Sequence, residues 1–116
     1  MLWLLLACVE PAPPVDSDTA MEQDSFCTDA PVVRWANFGQ GFIKGSCQGC
    51  HSSTSADRHN APEGVTFDTL EQVWAQKDMI LLTSTQEPPS MPPNGGVHED
   101  DRMRLAWWLR CAPNGT

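Results

Sequence analysis

Apolar residues recur at helical intervals in three stretches of this chain, and nowhere do they alternate as a strand would. In "DAPVVRWANFGQGFIKGSC", Val32, Trp35, Phe38, Phe42 and Ile43 fall on one helical face. Asp29 is the expected N-cap there, with Pro31 in the first turn and Gly39 and Gly41 loosening the helix. In "DTLEQVWAQKDMILLTS" the stripe is Leu70, Val73, Trp74 and Ile80 or Leu81, and Asp68 with Glu71 reads as a capping-box variant. In "HEDDRMRLAWWLRC", Leu105, Trp108 and Leu109 form the inward face. Glu99, Asp100 and Asp101 suit the positive end of that helix, His98 fits its N-cap, and Pro113 stops it. The connecting stretches "SSTSADRHNAPEGVTF" and "TQEPPSMPPNGG" are polar and dense in Pro and Gly, so they are loops, the second extended and ordered. The pattern predicts an all-α domain with long loops.

Residues 1–25 differ from the rest. A short apolar run leads to Cys8, and "VEPAPPVDSDTAMEQDS" follows without periodicity, as an acidic, Pro-rich tether would. The foldable domain is residues 26–116. A core that small is marginal, and such domains usually depend on a staple or a cofactor. Fifteen acids against seven Lys and Arg give a net charge of −8, with no basic cluster. Nucleic acid is therefore not an expected partner, because counterion release needs a row of cations. The acidity serves solubility, or docking against basic patches on protein partners.

The candidate chemistry sits in "KGSCQGCHSS", where Cys47 and Cys50 are two residues apart and His51 follows. A zinc site, a dithiol redox pair and a c-type haem attachment all begin this way. Structural zinc wants a second pair at similar spacing, and no second C-x-x-C exists. C-x-x-C-H reads as haem attachment. Two thiols at this spacing can reach the two vinyl groups on one side of a porphyrin, with the adjoining histidine under the iron. A second axial ligand must then come from His59, Met79, Met91, His98 or Met103. Met79 and Met103 fall within helices, where methionine is usually core packing. His59 lies in a polar loop and reads as solvated. Met91 lies between prolines, forty residues after His51, in a stretch too rigid and polar for core filler.

"SMPPNGGVHEDDRMRLAWWL" resembles the distal-ligand segment of small bacterial class I cytochromes c, and "FIKGSCQGCH" resembles their attachment segment. "NAP" at 60–62 is similar to their loop proline. The resemblance covers roughly residues 30–111 and is weak between 65 and 87. It implies a cytochrome c-like fold of three to four helices around one covalent haem c. It makes Cys47 and Cys50 the thioether anchors, His51 the proximal ligand and Met91 the distal one. Pro62 would offer its carbonyl to the other ring nitrogen of His51, fixing the tautomer. Asn94 would hydrogen-bond near the Met91 sulfur. Trp108 would pack against the haem and the first helix, near Phe38 or Phe42. Arg58 would meet a haem propionate or lie solvated. Gln48 and Gly49 are spacers, with Gly49 expected where backbone approaches the porphyrin.

"LLLAC" resembles a bacterial lipobox, which makes Cys8 a lipidation site and residues 9–25 the tether of a membrane-anchored domain. If Cys8 carries lipid and Cys47 and Cys50 hold haem, Cys27 and Cys111 remain, and a disulfide between them is natural in an oxidising compartment. The expected function is a monohaem, monomeric one-electron carrier, exported and facing the periplasm or cell exterior, with redox proteins as partners and no catalytic residue. The alternatives are a haem-based enzyme or a gas or peroxide sensor, and then a zinc or dithiol module.

Overall fold

The computed structural model describes residues 25–116, and the description below is of those residues. The candidate lipidation site Cys8 lies outside them, as does nearly all of the expected signal and tether. The described part is all-helical, without strands. After a short helical stretch at 25–28, a wide turn over Trp35–Gly39 runs into α1 (Gln40–Ser46) and α2 (Gln48–His51). Then come α3 (Leu70–Ala75), α4 (Lys77–Ser84), α5 (Glu99–Cys111) and a closing turn over Pro113–Gly115.

The first helix begins later than the sequence suggests. The Asn37 side chain accepts from the Arg34 amide at 2.7 Å and donates to the Val32 carbonyl at 2.9 Å. These local bonds satisfy the backbone without a helix, so Asp29 and Pro31 lie outside it and Val32 is exposed. The opening turn is wound wide, with the Gly39 amide reaching the Arg34 carbonyl five residues back at 3.0 Å. Insertions of this kind are frequent where a helix must aim a functional segment.

The second helix is capped by Thr69 rather than Asp68. Thr69 Oγ1 accepts from the Gln72 amide at 3.2 Å, and Gln72 Oε1 accepts from the Asp68 amide at 2.8 Å. The cap is thus shifted by one residue, with Gln72 reaching back to the amide before it, and the Asp68 side chain is released for another task. Gln76, at φ −107° and ψ 11°, divides the stretch into α3 and α4. The last helix matches its pattern. The His98 ring accepts from the Asp100 amide, the three acids occupy the first turn, and Leu105, Trp108 and Leu109 are buried.

The core joins Ile43 of α1, Phe67 of the long loop, Val73 and Ile80 of α3 and α4, and the inner face of α5. Trp108 is its centre. It is fully buried, its ring lies 5.8 Å from Trp35 and 6.1 Å from Trp74, and its Nε1 donates to the Gly115 carbonyl at 2.9 Å. A buried indole needs such a partner for its one donor. Gly39 lets the first helix press on this ring, since a Cβ there would fall 2.7 Å from the Trp108 ring. Cys27 and Cys111 form a disulfide across 84 residues, tying the start of the domain to the end of α5. Arg110 stacks over Phe26 beside it, 3.7 Å from the ring centroid.

Candidate functional site

The C-x-x-C-H segment is wound tightly off the end of α1. The Cys47 amide bonds back to the Ile43 carbonyl at 3.0 Å, and the His51 amide to the Cys47 carbonyl at 2.9 Å. The loop after it folds back against this turn. The Phe67 amide donates to the His51 carbonyl at 2.6 Å, and the Gln48 side chain donates to the Phe67 carbonyl at 3.0 Å. The Phe67 ring tilts over the His51 ring, with centroids 4.9 Å apart. Gln48 is therefore a strap rather than a spacer. Gly49 lies outside the cavity lining, and a Cβ there would meet no protein atom within 4 Å.

Between this turn, the 58–67 loop, α4 and the Met91 loop lies a predominantly apolar cavity of about 480 Å³. That is within the usual size of a small-molecule or cofactor site. Cys47, Cys50 and His51 line one side, Met79, Ile80 and Thr83 come from α4, and Met91, Pro92 and Pro93 from the second loop. Residues forty positions apart in sequence, His51 and Met91, thus face one space. Another depression of about 470 Å³, lined by Ala36, Asn37, Phe38, Gln40, Gly41 and Lys44, gathers no comparable set of ligating side chains.

His51 is held from behind. Its Nδ1 lies 3.2 Å from the Val65 carbonyl oxygen, which can only accept, so Nδ1 is the donor and Nε2 is the nitrogen left without a proton in the neutral ring. The acceptor is Val65, not Pro62. The Pro62 carbonyl is taken by the Val65 amide at 2.9 Å and by Arg58 at 3.0 Å. Arg58 is neither a solvated side chain nor a free fork for an anion. It donates to the carbonyls of Cys50, Pro62, Glu63 and Val65, leaving one of its five N–H groups uncommitted. Asp68 supports the same turn: it accepts from Ser52 Oγ at 2.6 Å and from the Ser53 amide at 3.1 Å. These bonds, Ser52 first, hold its carboxyl below the ordinary range, and the Arg58 charge adds to them.

The Met91 loop is stitched to the helices on either side. The amides of Ser90 and Met91 both donate to the Thr83 carbonyl, at 2.8 and 3.0 Å. Arg102 Nη1 donates to the carbonyls of Ser84 at 2.7 Å and Met91 at 2.9 Å. One guanidinium nitrogen on α5 therefore joins the end of α4 to the Met91 backbone. Met91 itself stays 36% exposed, at the cavity wall rather than in the core.

Of the other residues singled out by sequence, Asn94 is exposed and outside the lining. Trp108 packs on the first helix as expected, but against Gly39 and Trp35, and it does not line the cavity. Met79 is a wall residue, 56% exposed, rather than core filler. His59 lines the cavity, exposed to solvent and 3.6 Å from Asp57. His98 is used as a cap, and Met103 is exposed on α5. Sequence reasoning missed Val65, Phe67 and Arg102. Val65 and Phe67 left a trace as apolar residues stranded in a polar loop. Arg102 left none, because a cation in an acid-rich helical turn reads as surface charge.

Burial pushes the Cys47 thiol up to about 12, so it stays protonated at neutral pH. An attacking dithiol needs the opposite shift. Among the described residues no three His, Cys, Asp or Glu side chains converge as a metal-holding group, and no helix is long and apolar enough to cross a membrane. The chain matches no family model, and neither the curated proteins nor the solved structures give a match.

Proposed function

We propose that this chain is a monohaem c-type cytochrome that carries single electrons at the cell envelope. One observation carries the reading: Cys47, Cys50, His51 and Met91 line one apolar cavity, and the Val65 carbonyl, facing His51 Nδ1, selects the neutral tautomer whose Nε2 is free to bind a metal. The donor set suits haem: two thiols for covalent attachment, then an imidazole nitrogen and a thioether sulfur as axial ligands. Bound there and held by His51 and Met91, the haem would supply one-electron redox chemistry, at a potential raised relative to bis-histidine ligation.

The chain's own residues do the rest. Val65 fixes the tautomer of His51, Phe67 packs its ring, and Thr83 and Arg102 hold the backbone of Met91. Ile80, Phe67 and Pro92 contribute apolar surface to the cavity wall. A resemblance to class I cytochromes c at C-x-x-C-H and M-P-P-N supports the same reading. It favours brief, small contacts with redox partners. The separate resemblance of "LLLAC" to a lipobox favours a lipid anchor at Cys8, with the domain facing the periplasm or exterior. The dithiol alternative is weakened by the protonated Cys47, and the zinc alternative by the lack of further converging ligands among the described residues.

The test is the absorption spectrum of the chain produced with c-type maturation machinery. A haem band that stays with the polypeptide through denaturation, and is lost in Cys47→Ala/Cys50→Ala, is the expected result. A chain that acquires no covalent haem under those conditions overturns the reading.

A further inference from the structure

Arg58 and His51 share one acceptor. The Val65 carbonyl oxygen takes Nη2–H of Arg58 at 2.8 Å and Nδ1–H of His51 at 3.2 Å. The same guanidinium also holds the Cys50 carbonyl, one residue before His51, at 3.2 Å. Arg58 therefore grips the chain on both sides of the imidazole: the turn that carries it and the loop that accepts from it. It lines the cavity as well, so its charge stands at the wall of the site.

We infer that Arg58 is the positioning residue for His51, and that it sets the electron-donating strength of that imidazole; the second part rests on the reading of His51 as the proximal iron ligand. The physical reason is competition for the carbonyl. An oxygen already polarised by a guanidinium is a weaker acceptor for Nδ1–H, so the imidazole gains less imidazolate character and donates less to a metal. A fixed positive charge at the wall acts in the same direction, disfavouring added positive charge in the cavity. Both effects make the reduced state easier to reach. Removing Arg58 should lower the midpoint potential, not merely loosen the loop.

The experiment compares wild type, Arg58→Gln and Arg58→Lys as full chains with the disulfide intact. The first readout is hydrogen exchange of the His51 Nδ1 proton, followed by NMR, which needs no iron. Exchange about tenfold faster in Arg58→Gln, with a smaller change in Arg58→Lys, is expected, because loss of the clamp lets the loop open more often and expose Nδ1–H, even though the bond of the closed state is stronger. The amide of buried Ile80 in α4, bonded to the Gln76 carbonyl and away from the clamp, is the internal control. The inference is overturned if Nδ1 exchange is unchanged in Arg58→Gln, or if it rises only in step with the Ile80 amide, as in general unfolding. The second readout is the midpoint potential of the haem-loaded chain. A fall in Arg58→Gln with partial recovery in Arg58→Lys is expected, and an unchanged or raised potential overturns the tuning role. A wild type without covalent haem defeats the proposed function instead, and the Nδ1 readout still decides whether Arg58 positions His51.

Discussion

Arg102 and Met91, eleven residues apart, are joined by a 2.9 Å hydrogen bond from the Arg102 guanidinium to the Met91 carbonyl. The same nitrogen holds the Ser84 carbonyl at 2.7 Å. The loop that brings Met91 to the cavity is thus fastened to two helices by one cation. Arg102→Ala removes charge-assisted bonds worth about 1.5–3 kcal/mol where they are shielded. The melting temperature should fall. In the haem-loaded, oxidised chain the weak far-red band that reports thioether ligation should weaken or vanish. A variant with normal melting and a normal band would show that Thr83 alone holds the loop.

Gly39 is required by the Trp108 ring rather than by its own backbone, which is helical. Gly39→Ala places a methyl group 2.7–2.9 Å from three ring atoms of a side chain with no freedom to move. Overpacking of this kind costs about 1–3 kcal/mol. Gly41→Ala is the control, since a Cβ at Gly41 meets nothing within 4 Å. Urea denaturation of the two variants should separate them clearly, with the loss confined to Gly39→Ala.

The Cys27–Cys111 disulfide closes most of the domain into one loop. In the chain-entropy model such a crosslink contributes about 4 kcal/mol, by restricting the unfolded chain. Replacing both cysteines by serine should lower the denaturation midpoint strongly. The residues lining the cavity should be left in place, because neither cysteine lines it. Urea titration with and without reductant measures the effect, and a reductant-insensitive midpoint would contradict it.

Asp68 makes stability acid-sensitive. Its folded-state pKa is depressed, through the hydrogen bonds from Ser52 and Ser53 and the charge of Arg58. A depressed carboxylate stabilises the fold fully above its unfolded value of about 3.9, and the contribution is lost as pH falls through the folded value. Stability measured from pH 7 downward should therefore drop below about pH 4, and Asp68→Asn should be less stable at pH 7 with a shallower acid limb. Parallel curves for the two proteins would remove Asp68 as a contributor.

The sequence by itself determined the helical class, the inward face of α5 and its capping by His98, and the pairing left for Cys27 and Cys111 once the other cysteines are given roles. Those features are written in short-range periodicity or in a count of reactive residues. It also marked His51 and Met91, whose neighbours are distinctive. The tertiary structure alone decided what stands behind them. Val65, not Pro62, accepts from His51, because Pro62 is already engaged by the Val65 amide and Arg58. Trp108 serves the core and not the cavity, because Gly39 admits the first helix onto its ring. Arg58 and Arg102 look like surface charges in sequence and act as backbone clamps in the fold. A carbonyl acceptor belongs to every residue, so no residue type announces which one a side chain will reach; only the path of the loop selects it.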